Sequence, residues 1–289
     1  MKRVLLVTAC VTLLIAPVVE AKQGKTKKVT FGPVITRSAL GNTAIALAGQ
    51  PSSATATCPK GTQAVGGGFQ LPSSPGDQMT VEQSFRSSKR AWAVTGIPLE
   101  GSPAATAFAY CRKTNAKIKD VEATGVIPGT PGGSGAATAS CPKGTQIIGG
   151  GFESTRGPAA PNVTTTETSI RAANGWNVQA INNTGPPQTL TAHAYCAKGV
   201  KRKSVRVTRS QDAQEEALVT SSSPACPTAK NPKKTRRLSA GGFATPVGDF
   251  AAVVPLVAES RIVGSNWVAA AIANSNPGVL PVTSFGICL

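Results

Sequence analysis

The chain has 289 residues, and its 30 Lys and Arg outnumber its 13 Asp and Glu, which gives a formal net charge of +17 at pH 7. It contains only one His, three Trp and two Tyr. So few aromatic residues argue against a carbohydrate-binding module with many stacking surfaces. A single His and the lack of any C-x-x-C spacing argue against a metal site, and we expect no cofactor.

The beginning of the chain has the pattern of a secretory signal peptide. Lys2 and Arg3 precede an apolar run from residue 4 to residue 19, and Val19-Glu20-Ala21 places small or branched residues before a cleavage point. The run is too short for a comfortable membrane span, which needs about 20 residues. We therefore predict a signal peptide over 1–21 and a basic segment over 22–27, with a retained N-terminal anchor as the alternative.

The rest of the chain is built from three copies of one unit. Cys58-Pro59-Lys60-Gly61-Thr62-Gln63, followed by Gly66-Gly67-Gly68-Phe69, recurs from Cys141 to Phe152, and a diverged copy runs from Cys226 to Phe243. A fixed period indicates one structural unit used repeatedly. The spacing predicts repeat 1 over 28–113, repeat 2 over 114–199 and a divergent repeat 3 over 200–289.

Each repeat has the pattern of short strands separated by turns. In chain order it has a basic opening strand, a strand ending at the first Cys, a Pro-Lys-Gly turn and a strand with the glycines and Phe. A strand centred on Ser, a strand with Trp and a closing strand that ends at the second Cys follow. Consecutive glycines in a strand indicate close approach of another group, for which the Trp or the disulfide of the same repeat is expected. Gln211–Leu218 is the only candidate helix.

The cysteines of the repeats predict three disulfides. Without Cys10 of the signal peptide, two remain in each repeat, and each repeat is expected to close its own bridge. Such a bridge stabilises a chain by roughly 4 kcal/mol in the chain-entropy model. The predicted pairs are Cys58–Cys111, Cys141–Cys196 and Cys226–Cys288.

No residue pattern predicts catalysis. His193 stands where the sister repeats have Phe108 and Phe285, so we interpret it as a packed ring rather than a ligand. Glu and Arg flank the central Ser in repeats 1 and 2 (Glu82 and Arg86, Glu167 and Arg171), and a surface ion pair explains each set. A Ser nucleophile needs a base, which one His cannot supply to three repeats. We therefore expect a protein that is not an enzyme.

Charge is the property that indicates a partner. Cations gather at the start of each repeat, and repeat 3 has a basic insertion after Cys226. Clustered cations attract polymers rich in phosphate or carboxylate, so an anionic cell-envelope polymer or membrane surface is the expected partner. Nucleic acid is disfavoured because aromatic residues are not interleaved with the cations. The candidate anion-binding residues are Lys201, Arg202, Lys203, Lys230, Lys233, Lys234, Arg236 and Arg237.

The repeated motif resembles a module of exported bacterial proteins, often actinobacterial, of unassigned function. The likeness rests on C-P-K-G-T-Q-x-x-G-G-G-F, W-x-V and A-x-A-Y-C and covers most of residues 28–289. It implies export, β structure and a bridge within each repeat, and it brings no catalytic residues. We predict an all-β fold of three tandem disulfide-bridged β-sandwich-like repeats as separate units, with one pseudo-threefold β-prism as the alternative. A structural or protein-interaction array without polymer binding is the alternative function.

Overall fold

The computed structural model describes residues 28–42, 50–72, 77–129, 132–155, 164–182, 186–213, 217–227, 236–245, 255–273 and 278–289. The predicted signal peptide and basic N-terminal segment lie outside these residues. The described part of the chain is all-β, as predicted, with six strands in each predicted repeat and no helix. A membrane-spanning helix is accordingly not found among the described residues.

Repeat 1 contains β1 (Ile35–Leu40), β2 (Ser52–Thr57), β3 (Gln63–Gln70), β4 (Met79–Ser88), β5 (Ala91–Pro98) and β6 (Thr106–Arg112). Repeat 2 contains β7 (Ile118–Ile127), β8 (Gly133–Ser140), β9 (Thr145–Ser154), β10 (Thr164–Ala172), β11 (Gly175–Asn182) and β12 (Gln188–Lys198). Repeat 3 contains β13 (Lys203–Ala213), β14 (Leu218–Ser222), β15 (Leu238–Ala244), β16 (Pro255–Val263), β17 (Asn266–Ala273) and β18 (Gly278–Cys288).

The strands form three six-stranded antiparallel sheets, and every sheet takes three strands from each of two repeats. The orders are β1-β6-β3-β16-β17-β14, β13-β18-β15-β10-β11-β8 and β2-β5-β4-β9-β12-β7. The repeats are thus not separate units. They correspond to the prism-like alternative, because each repeat is divided between two sheets and the three sheets close into a ring.

Equivalent residues join the repeats inside each sheet. Phe152 of β9 lies opposite Ser84 of β4, and the same pairing of Phe with Ser recurs at the other two junctions, Phe243 with Ser169 and Phe69 with Ser260. The three Phe rings meet in the core, where Phe243 makes edge contacts with Phe69 and Phe152 at centroid distances of 5.8 and 6.0 Å. The cavity at this centre is about 10 Å³, which is room for no more than one water.

The glycine triplet is explained by two close approaches. A Cβ at the middle glycine, such as Gly150, would overlap the ring of the Trp in the same repeat, here Trp176, as predicted. A Cβ at the last glycine would overlap the backbone carbonyl of the Ser in the neighbouring repeat. Each Trp is at most 2% exposed and donates its Nε1 hydrogen to a Ser Oγ at 2.9–3.0 Å, so these Trp rings are core residues.

A β-bulge changes the orientation of one carboxylate in each of the first two repeats. The register with the neighbouring strand skips Glu82 in β4 and Glu167 in β10, and both side chains are buried. The extra residue breaks the strict alternation of faces, so the interpretation of Glu167 as half of a surface ion pair is wrong. Arg171 instead donates to the Ala173 carbonyl and to Ser204 Oγ.

The expected helix at Gln211–Leu218 is wrong in part, because β13 continues to Ala213.

The three predicted disulfides form, with sequence separations of 53, 55 and 62 residues. Each one connects the end of one sheet to the end of another, because its first cysteine follows β2, β8 or β14 and its second cysteine lies in β6, β12 or β18 of a different sheet. All three lie at the same end of the prism, where β6, β12 and β18 finish. The Pro-Lys-Gly turns and the β4–β5, β10–β11 and β16–β17 turns lie at this end too. The bridges therefore fix the three sheets to one another there.

Candidate functional site

The end of the prism with the disulfides carries nearly all of the described Lys and Arg residues, and we call it the cationic end. Of the described Lys and Arg, only Arg209 lies in the half of its strand that is farther from this end. At the opposite end the described loops carry Asp77 and Glu100 instead. The exposed cations of the cationic end are Lys28, Arg37, Lys60, Lys89, Arg90, Lys113, Lys117, Lys119, Lys143, Lys198, Lys201, Lys203, Arg206 and Arg237.

Five of the predicted anion-binding residues are described, and all five lie at the cationic end. Lys201, Arg202 and Lys203 lead into β13, and Arg236 and Arg237 come directly before β15. The other three, Lys230, Lys233 and Lys234, lie outside the described residues.

A groove at the cationic end contains two of these cations. Its volume is about 550 Å³, and Arg236 and Arg237 line it together with Thr36 of β1 and Ser265 of the β16–β17 turn. The groove also runs along Cys226, so one wall is held by a disulfide. Two guanidinium groups in one groove match the oxygens of a phosphate or carboxylate, which they can hold with paired hydrogen bonds.

Several positive groups at this end lie close to one another. Burial, with a further contribution from Arg237, lowers the pKa of Arg112 to about 10. Burial and the nearby Arg171 also lower the pKa of Arg202. Among the described residues, none of the exposed cations of the cationic end forms an ion pair with a carboxylate. The positive electrostatic potential of these exposed cations can therefore attract an external anion.

A second cluster surrounds the single histidine. β12 pairs with β7 so that Glu122 lies opposite His193 and Asp120 opposite Tyr195. His193 Nδ1 is 3.6 Å from Asp120 Oδ1 and 3.7 Å from Glu122 Oε1, and His193 Nε2 is 3.8 Å from Glu153 Oε1. His193 is 3% exposed, and within the described part of the chain no acceptor or donor lies at hydrogen-bond distance of either ring nitrogen.

The ring of His193 packs against the neighbouring strand, as the ring of Phe108 does at the equivalent position of repeat 1. It stacks on Phe85 with centroids 5.0 Å apart and an interplanar angle of 15°. At the equivalent position of the β3–β16 junction, Arg261 lies over the ring of Phe108 at 5.2 Å. The prediction of a packed ring in place of an aromatic is thus confirmed. Burial lowers the pKa of His193, but Asp120 and Glu153 outweigh it and raise the pKa to about 9.

The sequence interpretation missed the carboxylates around His193. Asp120 and Glu122 are more than 70 residues from His193 in the chain, so no ligand spacing is visible. The structure supplies the missing information, because the opening and closing strands of a repeat pair in antiparallel fashion with Lys119 opposite Cys196. Counting from that pair places Glu122 beside His193. The absence of a metal stays a prediction, but three carboxylates lie within 4 Å of the single His.

Comparison with known proteins gives no family. No protein-family model matches the chain, and no curated protein matches it either. The function must therefore be argued from the two features above, the cationic end and the cluster around His193.

Proposed function

We propose that this protein is an exported, non-enzymatic protein that binds an anionic polymer or surface through its cationic end. The observation that carries the proposal is the distribution of charge, in which Arg209 alone among the described cations lies in the other half of the prism. A phosphate- or carboxylate-rich polymer of the cell envelope, or an anionic membrane surface, has the matching chemistry. The three disulfides are typical of extracellular proteins and agree with export.

Rigidity of the cationic end supports this proposal. The exposed cations lie on turns and strand ends that the disulfides and sheets hold in place, so little ordering accompanies binding. Each contact between a cation and a polymer phosphate releases a counterion, and affinity then falls steeply with salt. Several weak contacts spread over one end give useful affinity without any deep pocket.

Retention on phosphocellulose tests the proposal. The variant Lys60→Glu with Lys143→Glu reverses two exposed charges in the turns of the cationic end. Its matched control combines Arg209→Glu with Leu40→Glu and Val126→Glu, which changes the net charge equally at exposed positions of the other end. We expect the first variant to elute at clearly lower salt than the wild type, while the control elutes close to it.

Two results would overturn the proposal. One is equal elution of the variant and its control, which would mean that only net charge matters. The other is failure of the wild type to bind at low salt, which would favour the alternative of a structural or protein-interaction array. The variant Arg236→Glu with Arg237→Glu tests the groove separately, and it is also expected to elute earlier than the wild type.

A further inference from the structure

The carboxylates of Asp120 and Glu122 and the Nδ1 of His193 form a group with the spacing of a metal-binding site. These three atoms lie within 4.8 Å of one another, and Nδ1 is 3.6 and 3.7 Å from the two carboxylate oxygens. Ligands bound tetrahedrally to zinc at about 2.1 Å are about 3.4 Å apart. Small side-chain movements would therefore bring all three atoms to bonding distance of one ion.

The burial of His193 is a second and independent indication. The side chain is 3% exposed, and both ring nitrogens face carboxylate oxygens at 3.6–3.8 Å, which is longer than a hydrogen bond. Buried polar groups in proteins nearly always have partners, so an exception requires an explanation. The same position holds a buried Phe285 in repeat 3 and a partly buried Phe108 in repeat 1, which shows that packing alone does not need the nitrogens. A cation bound at Nδ1 would give that nitrogen a partner.

The surroundings of the ring resemble the supporting groups of known metal sites. A ligating His usually donates its second N–H to a carboxylate, which fixes the tautomer and the ring orientation. His193 Nε2 faces Glu153 Oε1 at 3.8 Å, on the side of the ring away from Asp120 and Glu122. Stacking against Phe85 fixes the plane of the ring. The ring is thus oriented by two contacts that do not involve its Nδ1.

Access and ligand chemistry indicate which ion would bind. β7 is the edge strand of its sheet, and the Asp120 and Glu122 side chains are 32% and 62% exposed, so an ion and its waters can reach them. One imidazole nitrogen and two carboxylate oxygens suit zinc, whereas calcium and magnesium prefer oxygen ligands alone. We propose that Asp120, Glu122 and His193 bind a divalent transition metal such as Zn²⁺, with Glu153 as the positioning residue for the His193 ring.

Calorimetric titration of the chelator-treated full chain with ZnCl₂ at pH 8 tests this proposal. Because the pKa of His193 is raised to about 9, zinc binding at this pH must displace the proton on Nδ1 and release it to the buffer. We expect one saturable site in the wild type. The variant His193→Phe introduces the residue of both sister repeats, so it should fold, and it is expected to weaken zinc binding at least tenfold. The variant Glu122→Gln should weaken binding by a similar factor while keeping the His193 ring. The control Glu100→Gln, an exposed carboxylate at the end opposite the cationic end, should leave binding unchanged.

Two outcomes would overturn the metal site. Absence of saturable zinc binding to the wild type would mean that His193 is only an ion-pair partner of the three carboxylates. Equal affinity of the wild type and Glu122→Gln would mean that zinc binds elsewhere on the chain. Thermal unfolding gives a second readout, because zinc should raise the unfolding temperature of the wild type but not that of His193→Phe.

Discussion

Replacing Glu167 with Gln is expected to stabilise the protein above pH 7 and to change its stability little at pH 4. Glu167 occupies the bulge of β10 and is 3% exposed, and no described residue forms a hydrogen bond with its Oε1. Burial raises the pKa of this carboxyl from an ordinary value of 4.5 to about 7. The folded protein therefore favours the protonated form, and ionisation of Glu167 at higher pH opposes folding.

The size of the effect follows from the two pKa values. A group with a raised folded pKa contributes its full stability below the unfolded pKa of 4.5 and loses it as pH rises through about 7. Each pKa unit corresponds to about 1.4 kcal/mol, so the loss approaches about 3 kcal/mol at pH 8. Glutamine keeps the shape without the charge. The difference in unfolding free energy between variant and wild type should therefore rise from near zero at pH 4 to about 3 kcal/mol at pH 8.

Urea denaturation at pH 4, 6 and 8, with the disulfides kept oxidised, measures this difference. Glu259→Gln is the matched control in β16. Burial also raises the pKa of Glu259, but Arg261, whose Nε lies 2.6 Å from its carboxylate, opposes that rise. The control should show a smaller dependence on pH. A difference between Glu167→Gln and wild type that is the same at pH 4 and pH 8 would refute the reasoning, because a packing change does not titrate.

The remaining predictions concern the core and the disulfides. Gly150→Ala places a methyl group in the ring of Trp176 and should lower the unfolding free energy by at least 2 kcal/mol in chemical denaturation. Gly61 has a φ of 83° and no atom within 4 Å of a Cβ built on it, so Gly61→Ala should cost only about 1 kcal/mol. An equal cost at both positions would contradict the close approach of Trp176. Replacing both Cys58 and Cys111 with Ala should lower the unfolding free energy by about 4 kcal/mol, and a loss below 1 kcal/mol would show that the sheets hold together without this bridge.

Much of the architecture could be predicted because the repeats supply the same information three times. Two cysteines in each copy predicted the pairs, and the recurring Trp predicted the group that lies against Gly67 and Gly150. The closing strands have apolar residues on both faces, which is typical of a central strand, and β6, β12 and β18 have a paired strand on each side.

The sequence could not predict that each sheet is shared between two repeats, because the copies are nearly identical. Ser84 pairs with Phe152 of the next repeat, but repeat 1 has its own equivalent residue, Phe69. Near-identical copies present the same local pattern whether a strand pairs within its repeat or with a neighbour. The choice depends on the connections between the strands, which sequence periodicity does not report. The buried Glu167 was missed because a one-residue bulge reverses the face of every position before it.

Closure of the three sheets has a consequence for how many copies this fold can contain. β3 of the first repeat pairs with β16 of the last, so the beginning and the end of the described chain complete one sheet together. A chain with two copies would expose two unpaired inner strands, and a fourth copy would find no strand to pair with. A single copy, cut free from its neighbours, carries both halves of the junction and is expected to assemble as a homotrimer with the same core. Copy number in this architecture is thus set by the number of sheets that close the ring.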